Sequence, residues 1–165
     1  MQRYKVKYKD VIRKYGKEVL ASKEFAEART QVHHKYTTVA NHTLFVTDTV
    51  IGLGRLLRKL HLCKPDEKTL VLAALCHDLG IIGRDVKFSS DSECYRCHPK
   101  ESVKVTRRLY PKMDARTLNA IESHMYPLTK RPPHSAEGFI LITADKICSV
   151  TERIYLEINR KKRVK

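Results

Sequence analysis

Leu70-Val71-Leu72-Ala73-Ala74-Leu75-Cys76-His77-Asp78-Leu79-Gly80 is the most apolar stretch of the chain, and it closes on an imidazole and a carboxylate. Seven successive apolar residues leave no polar face, so a helix here belongs in the interior. Pro65-Asp66-Glu67 reads as its start, with Asp66 or Thr69 able to cap and acidic charge in the first turn. Gly80 reads as its stop. A carboxylate at the end of so apolar a helix is costly to bury unless it is paired or bound to a metal. Neighbours on a helix point about 100° apart, so His77 and Asp78 reach one cation only near a helix end.

Helical periodicity dominates on both sides of this segment. Upstream, a helix is expected from about Val39 to Leu60, with His42, Phe45, Val46, Thr49, Leu53, Leu56, Leu57 and Leu60 on one stripe. Residues 5–28 read as one or two polar helices. Downstream, 81–97 reads as a polar loop. Pro99 suits the first turn of a helix through about Leu109. Asp114 caps another helix ending near His124, and Pro127, Pro132 and Pro133 mark an ordered loop over 126–134. A last helix runs from about Ser135 to Ile158. No alternating strand pattern stands out, so the fold class is all-α, with about six helices.

The 165 residues fit one domain, and a chain of this size buries a core without disulfide or metal staples. Six Gly and six Pro exclude collagen, the 42% hydrophobic content excludes a disordered chain, and no apolar run approaches the ~18–20 residues of a membrane span. Lys and Arg number 33 against 18 acidic residues, a formal charge of +15. Such a surface attracts polyanions: nucleic acid, phosphorylated metabolites or an anionic membrane. Basic residues crowd the ends, including a C-terminal tail over 160–165, which reads first as a solvated terminus. Five cysteines and no apolar leader after Met1 set the expectation of reduced thiols in the cytoplasm.

Four further polar residues sit where apolar ones are expected. His42 lies on the apolar stripe of its helix. His98 opens His98-Pro99-Lys100, His124 ends Ile121-Glu122-Ser123-His124, and Asp145 follows Phe139-Ile140-Leu141-Ile142-Thr143-Ala144. Alone, each reads as a hydrogen-bonded core histidine, a cap or half of an ion pair. Four imidazoles and two carboxylates on inward faces together suggest a metal site, and the donor types suit Fe, Mn, Zn, Co or Ni better than Ca.

The ordered set His42, His77-Asp78, His98, His124 and Asp145 resembles the HD-domain superfamily of metal-dependent phosphohydrolases. Val39-Ala40-Asn41-His42-Thr43-Leu44-Phe45-Val46, residues 73–80, His98-Pro99-Lys100-Glu101 and Ala144-Asp145-Lys146 resemble the family's segments in the family's order, over about residues 36–150. The resemblance implies a single helical bundle, with one metal held by His42, His77, Asp78 and Asp145. It implies a second metal on His98 and His124, with Asp78 bridging. Two divalent or mixed-valent ions are expected, Fe or Mn favoured and Co, Ni or Zn as alternatives. A metal-bridging hydroxide would then attack a phosphomonoester or phosphodiester, nucleotides being the leading substrate class. Asp78 serves as ligand and orienter, and Lys100 as the preferred catalytic and phosphate-holding cation, with Lys104, Lys130 and its neighbour Arg131, and Lys146 as further candidates. No Gly-Tyr-Pro follows the His-Asp pair, which departs from the cyclic-dinucleotide branch.

Two rival readings stay open: a mixed-valent di-iron oxygenase on the same ligands, and a basic nucleic-acid-binding module. Cys94-Tyr95-Arg96-Cys97-His98 matches the c-type haem attachment pattern, but the expected compartment and the use of His98 speak against it. A Cys94–Cys97 disulfide gating His98 is the weaker alternative to two thiols packed in a loop. His33-His34 read as either substrate-facing at a pocket mouth or polar loop residues, and His61 and His134 as surface. Tyr4, Tyr8, Tyr15 and Tyr36 fit helix packing.

Overall fold

A computed structural model describes residues 5–34 and 37–163; for His34, Leu156 and residues 159–163 it describes the backbone only. Tyr4, Tyr36 and the last two residues of the basic tail lie outside the described residues, as do the side chains of His34 and of the rest of that tail.

The described chain runs α1 (Lys9–Ala21), α2 (Lys23–Ala28), β1 (Val32–His34), β2 (Thr37–Thr38), α3 (Val39–Lys59) and α4 (Glu67–Cys76). A 3₁₀ turn (Leu79–Ile81) leads to α5 (Arg84–Lys87), α6 (Asp91–Leu109), α7 (Ala115–Ser123) and α8 (Ala136–Arg163). The all-α reading is right. The helices number eight among the described residues, because the 5–28 segment divides at Ser22 and the 81–97 segment is largely helical.

Side chains set the starts. Ser22, Thr38, Asp66, Ser90 and Asp114 each accept the amide hydrogen three residues on, so Asp66, not Thr69, caps α4. Every residue from Thr69 to Ile81 is buried, and α4 packs against α1, α3, α7 and α8. The most apolar segment is thus the central rod, and its C-terminal end is where the other helices deliver polar groups.

Three expectations need correction. α6 begins at Asp91 rather than at Pro99: Ser90 caps it, and Glu93 returns a carboxylate oxygen to the Ser89 amide at 2.7 Å and hydroxyl at 2.6 Å. Pro99 therefore lies inside the helix, where it removes one backbone donor. Gly80 is not a helix stop. It sits in the 3₁₀ turn, where a Cβ would collide with the His98 carbonyl oxygen and the Ser102 amide, and its own amide donates to Ser102 Oγ at 2.9 Å. The glycine lets α6 close on the end of α4. Finally, Val32–His34 and Thr37–Thr38 form a small antiparallel ladder, too short to show as an alternating pattern.

Candidate metal centre

His77 keeps helical dihedrals after α4 (φ −58°, ψ −33°), whereas Asp78 leaves them (φ −110°, ψ 6°). That break brings adjacent side chains to one point, His77 Nε2 lying 3.3 Å from Asp78 Oδ2. Asp78 is the hub, its side chain 3% exposed. Its Oδ1 meets His98 Nε2 from α6 at 3.2 Å and His124 Nε2, just past α7, at 3.5 Å. Its Oδ2 meets His33 Nε2 from β1 at 3.0 Å and His42 Nε2 from α3 at 3.8 Å. On that side Asp145 Oδ1, from α8, lies 3.1 Å from His42 Nε2 and 4.0 Å from His77 Nε2. Two triads, His42/His77/Asp78 and Asp78/His98/His124, each keep their ligand atoms within 4.8 Å of one another and share Asp78.

The rings are anchored from behind. His77 Nδ1 lies 2.7 Å from the Ala74 carbonyl, His98 Nδ1 2.8 Å from that of Cys94, and His124 Nδ1 2.7 Å from that of Ile121. A carbonyl only accepts, so each Nδ1 carries the hydrogen and each Nε2 turns toward Asp78. His98 and His124 then meet Nε2 to Nε2 at 2.9 Å, and the buried His77 Nε2, close to Asp78 Oδ2, makes no hydrogen bond among the described residues. Lone pairs converging on lone pairs and carboxylates are unfavourable unless protons or cations lie among them. Second contacts that fix the ring from its far nitrogen are the usual support of a histidine metal ligand.

Buried acids elsewhere in the chain behave differently. Asp48 accepts the amides of Lys7 at 2.5 Å and Tyr8 at 2.9 Å, and Glu137 accepts that of Asp66 at 2.7 Å. Those carboxylates are satisfied by the backbone. Asp78 and Asp145 instead face ring nitrogens.

Without a cation, protons take up part of the role. Burial alone would depress His42 and raise Asp145. Their contact outweighs it, lifting His42 to about 10 with help from Glu152 and holding Asp145 far below the usual carboxylate range. On the Oδ1 side, burial likewise opposes the charge on His98, but Asp78 and the Cys94 contact raise it to about 9. Burial pushes His124 down to about 4, and burial together with the charge on His42 lowers His33. Asp78 stays ionised against its burial, because His77, His124 and His33 surround it. In the metal-free centre His42 and His98, one on each side of Asp78, are thus the rings shifted toward the imidazolium form.

All six positions read from the sequence as ligands come together here. Lys100, Lys104 and Lys130 do not join them: all three are exposed, and among the described residues none bonds to the cluster. Lys100 is two residues past the inward-facing His98, about 200° around the helix, and Lys104 pairs with Glu101 at 2.6 Å. Lys146 does reach the cluster, with Nζ 3.0 Å from Asp145 Oδ2 and its side chain 50% exposed. His33 belongs to the cluster rather than to a loop surface. Glu152 was not singled out in the sequence at all. Its signal was there: it follows Asp145 by seven residues, two helical turns on the same face. Cys94 serves His98 through its carbonyl, and all five cysteines are free thiols.

The chain matches the HD domain family over residues 39–149, more than half its length, and it belongs to that family. The HD domain marks a superfamily of metal-dependent phosphohydrolases, and the buried His/Asp cluster fits a metal site. Searches of curated proteins and of solved structures gave no match. Among the described residues, no helix is long and apolar enough to cross a membrane.

Proposed function

We propose that this protein hydrolyses phosphate esters, nucleotides being the leading class, at a centre of two cations that share Asp78. The observation that carries the reading is the division of ligand atoms across one buried carboxylate: Oδ1 faces His98 and His124, Oδ2 faces His42 and His77 with Asp145 behind them. His42, His77, Asp78 and Asp145 would hold one ion, and Asp78, His98 and His124 the other. When bound, such a pair supplies an activated water and neutralises charge on the phosphoryl oxygens.

The chain's own residues do the rest. Asp78 fixes the spacing of the two halves and, buried as it is, stays anionic. The carbonyls of Ala74, Cys94 and Ile121 keep three imidazoles turned inward before any ligand arrives, which lowers the cost of assembling the site. Lys146, exposed beside Asp145, is supported as the cation that would meet a phosphate oxygen at the rim. The roles proposed for Lys100, Lys104 and Lys130 rest on the family pattern and on the charge of +15 alone. The family pattern favours Fe or Mn, and the imidazole and carboxylate donor set, with no thiolate, suits either.

The test is a panel of p-nitrophenyl phosphate, bis(p-nitrophenyl) phosphate and nucleotides, run on chelator-stripped protein reloaded with Fe, Mn, Co, Ni or Zn. Metal-dependent hydrolysis that Asp78→Asn abolishes is the expected result. Oxygen uptake by iron-loaded protein without hydrolysis of any ester would replace the reading with an oxygenase.

A further inference from the structure

His77, His98 and His124 are anchored by carbonyls three or four residues back, a support that needs no particular side chain. His42 is anchored in another way. Its Nδ1 lies 3.0 Å from Glu152 Oε2, 110 positions along the chain. Glu152 and Asp145 stand two turns apart on one face of α8, so the two carboxylates bracket a single imidazole, Asp145 at Nε2 and Glu152 at Nδ1. The Glu152 side chain is 14% exposed and that of His42 fully buried, so water does not compete freely for this contact. His33 completes the arrangement. Its ring stacks on His42 with centroids 4.2 Å apart and planes 19° apart, and its Nε2 is 3.0 Å from Asp78 Oδ2.

We propose that Glu152 and His33 are positioning residues for the Oδ2 half of the centre. Glu152 accepts the Nδ1–H of His42, which leaves the Nε2 lone pair for the site. His33 donates its Nε2–H to Asp78 Oδ2 and stacks on one face of the His42 ring. A carboxylate behind an imidazole also raises its basicity as a ligand, and loss of such a support costs roughly 10–100-fold in metal affinity. The inference rests on the metal-centre reading above, but its geometry concerns the protein alone. It implies that the half of α8 beyond Asp145 is part of the site. Asp145 is the last of the six residues read as ligands from the sequence.

Two measurements on the full chain test it. The first is the tautomer of neutral His42 by nitrogen-15 NMR, read with Zn bound and, without metal, above the pH of about 10 at which the ring loses its second proton. Wild type should show Nδ1–H in both states, and Glu152→Gln, whose amide can donate instead of accept, should lose that preference. The second is titration of chelator-stripped protein with Mn alone. Glu152→Gln and His33→Ala should weaken one of two binding steps by roughly 10–100-fold and leave the other step unchanged. His33→Gln, which keeps a donor for Asp78, should recover much of the loss. Wild-type affinity together with an unchanged tautomer in Glu152→Gln would overturn the proposal. So would three Mn equivalents in wild type falling to two in both variants, since the residues would then be ligands of a third cation. If wild type binds no metal, the functional reading fails, and the His42 tautomer of the metal-free protein alone still decides the role of Glu152.

Discussion

The two oxygens of Asp78 look out on differently built surroundings. On the Oδ1 side stand His98 and His124, both tied to their own backbone one turn back. This half needs only two helices to arrive at the right height. The Oδ2 side draws on β1, α3, α4 and α8, and its His42 is held between side chains separated by 103 and 110 positions from it. One half is local and its rings are preset; the other is assembled by tertiary structure. The contrast teaches where each half is vulnerable. The Oδ1 half fails if α6 cannot approach α4, and the Oδ2 half fails if α8 loses its register on α3.

The hub should outweigh either half. Asp78→Ala removes the shared carboxylate and leaves several imidazoles facing one another. It should take bound metal from two per chain to below one and abolish hydrolysis, as read by elemental analysis beside the ester assay. A retained single metal would show that one half stands alone. Next comes the approach of α6. Gly80→Ala inserts a methyl group against the His98 carbonyl and Ser102 amide, both backbone groups that cannot swing aside. It should cost about 2–3 kcal/mol of stability by denaturant melting, and metal should be lost first from the Oδ1 half.

A smaller effect follows from the protons. In metal-free protein His42 and His98 titrate near 10 and 9, above the ordinary 6.5. A group raised on folding stabilises fully below its unfolded value, and that contribution disappears as pH climbs through its folded value. Asp78 and Asp145 are lowered, so their contribution is present above about 4 and vanishes in acid. The metal-free protein should therefore melt progressively lower between pH 6.5 and 10, while metal-loaded protein, whose ligands carry no such protons, should not follow it. The gap between the two melting temperatures should widen with pH; a constant gap would contradict the proton assignment. The smallest effect is at the rim. Lys146→Ala should raise KM for a phosphate ester several-fold while leaving bound metal unchanged.

The sequence made the centre legible wherever a polar side chain interrupts an apolar helix. His77-Asp78, His42, His124 and Asp145 all stand out for that reason, and all meet at the end of α4. His33 lacked such a setting, because three residues of strand offer no periodicity against which a histidine looks misplaced. Glu152 lies where α8 reads as an ordinary charged surface, and its link to Asp145 becomes visible only once Asp145 is placed. The start of α6 was written in Ser90 and Glu93, but Pro99 drew the boundary eight residues too late. Gly80 was read by its freedom of φ, whereas its function is close approach, which no single segment reveals. The family pattern and nearness in sequence point to Lys100, but helical phase turns it away from His98, while Lys146 lies against Asp145.

Metal content of wild type and of the double variant His98→Ala with His124→Ala tests the division at Asp78 most directly. Elemental analysis should give two ions per chain in wild type and one in the variant, whose remaining ion stays on the Oδ2 half. One ion in both proteins, or none in either after reloading, would contradict the two-ion centre.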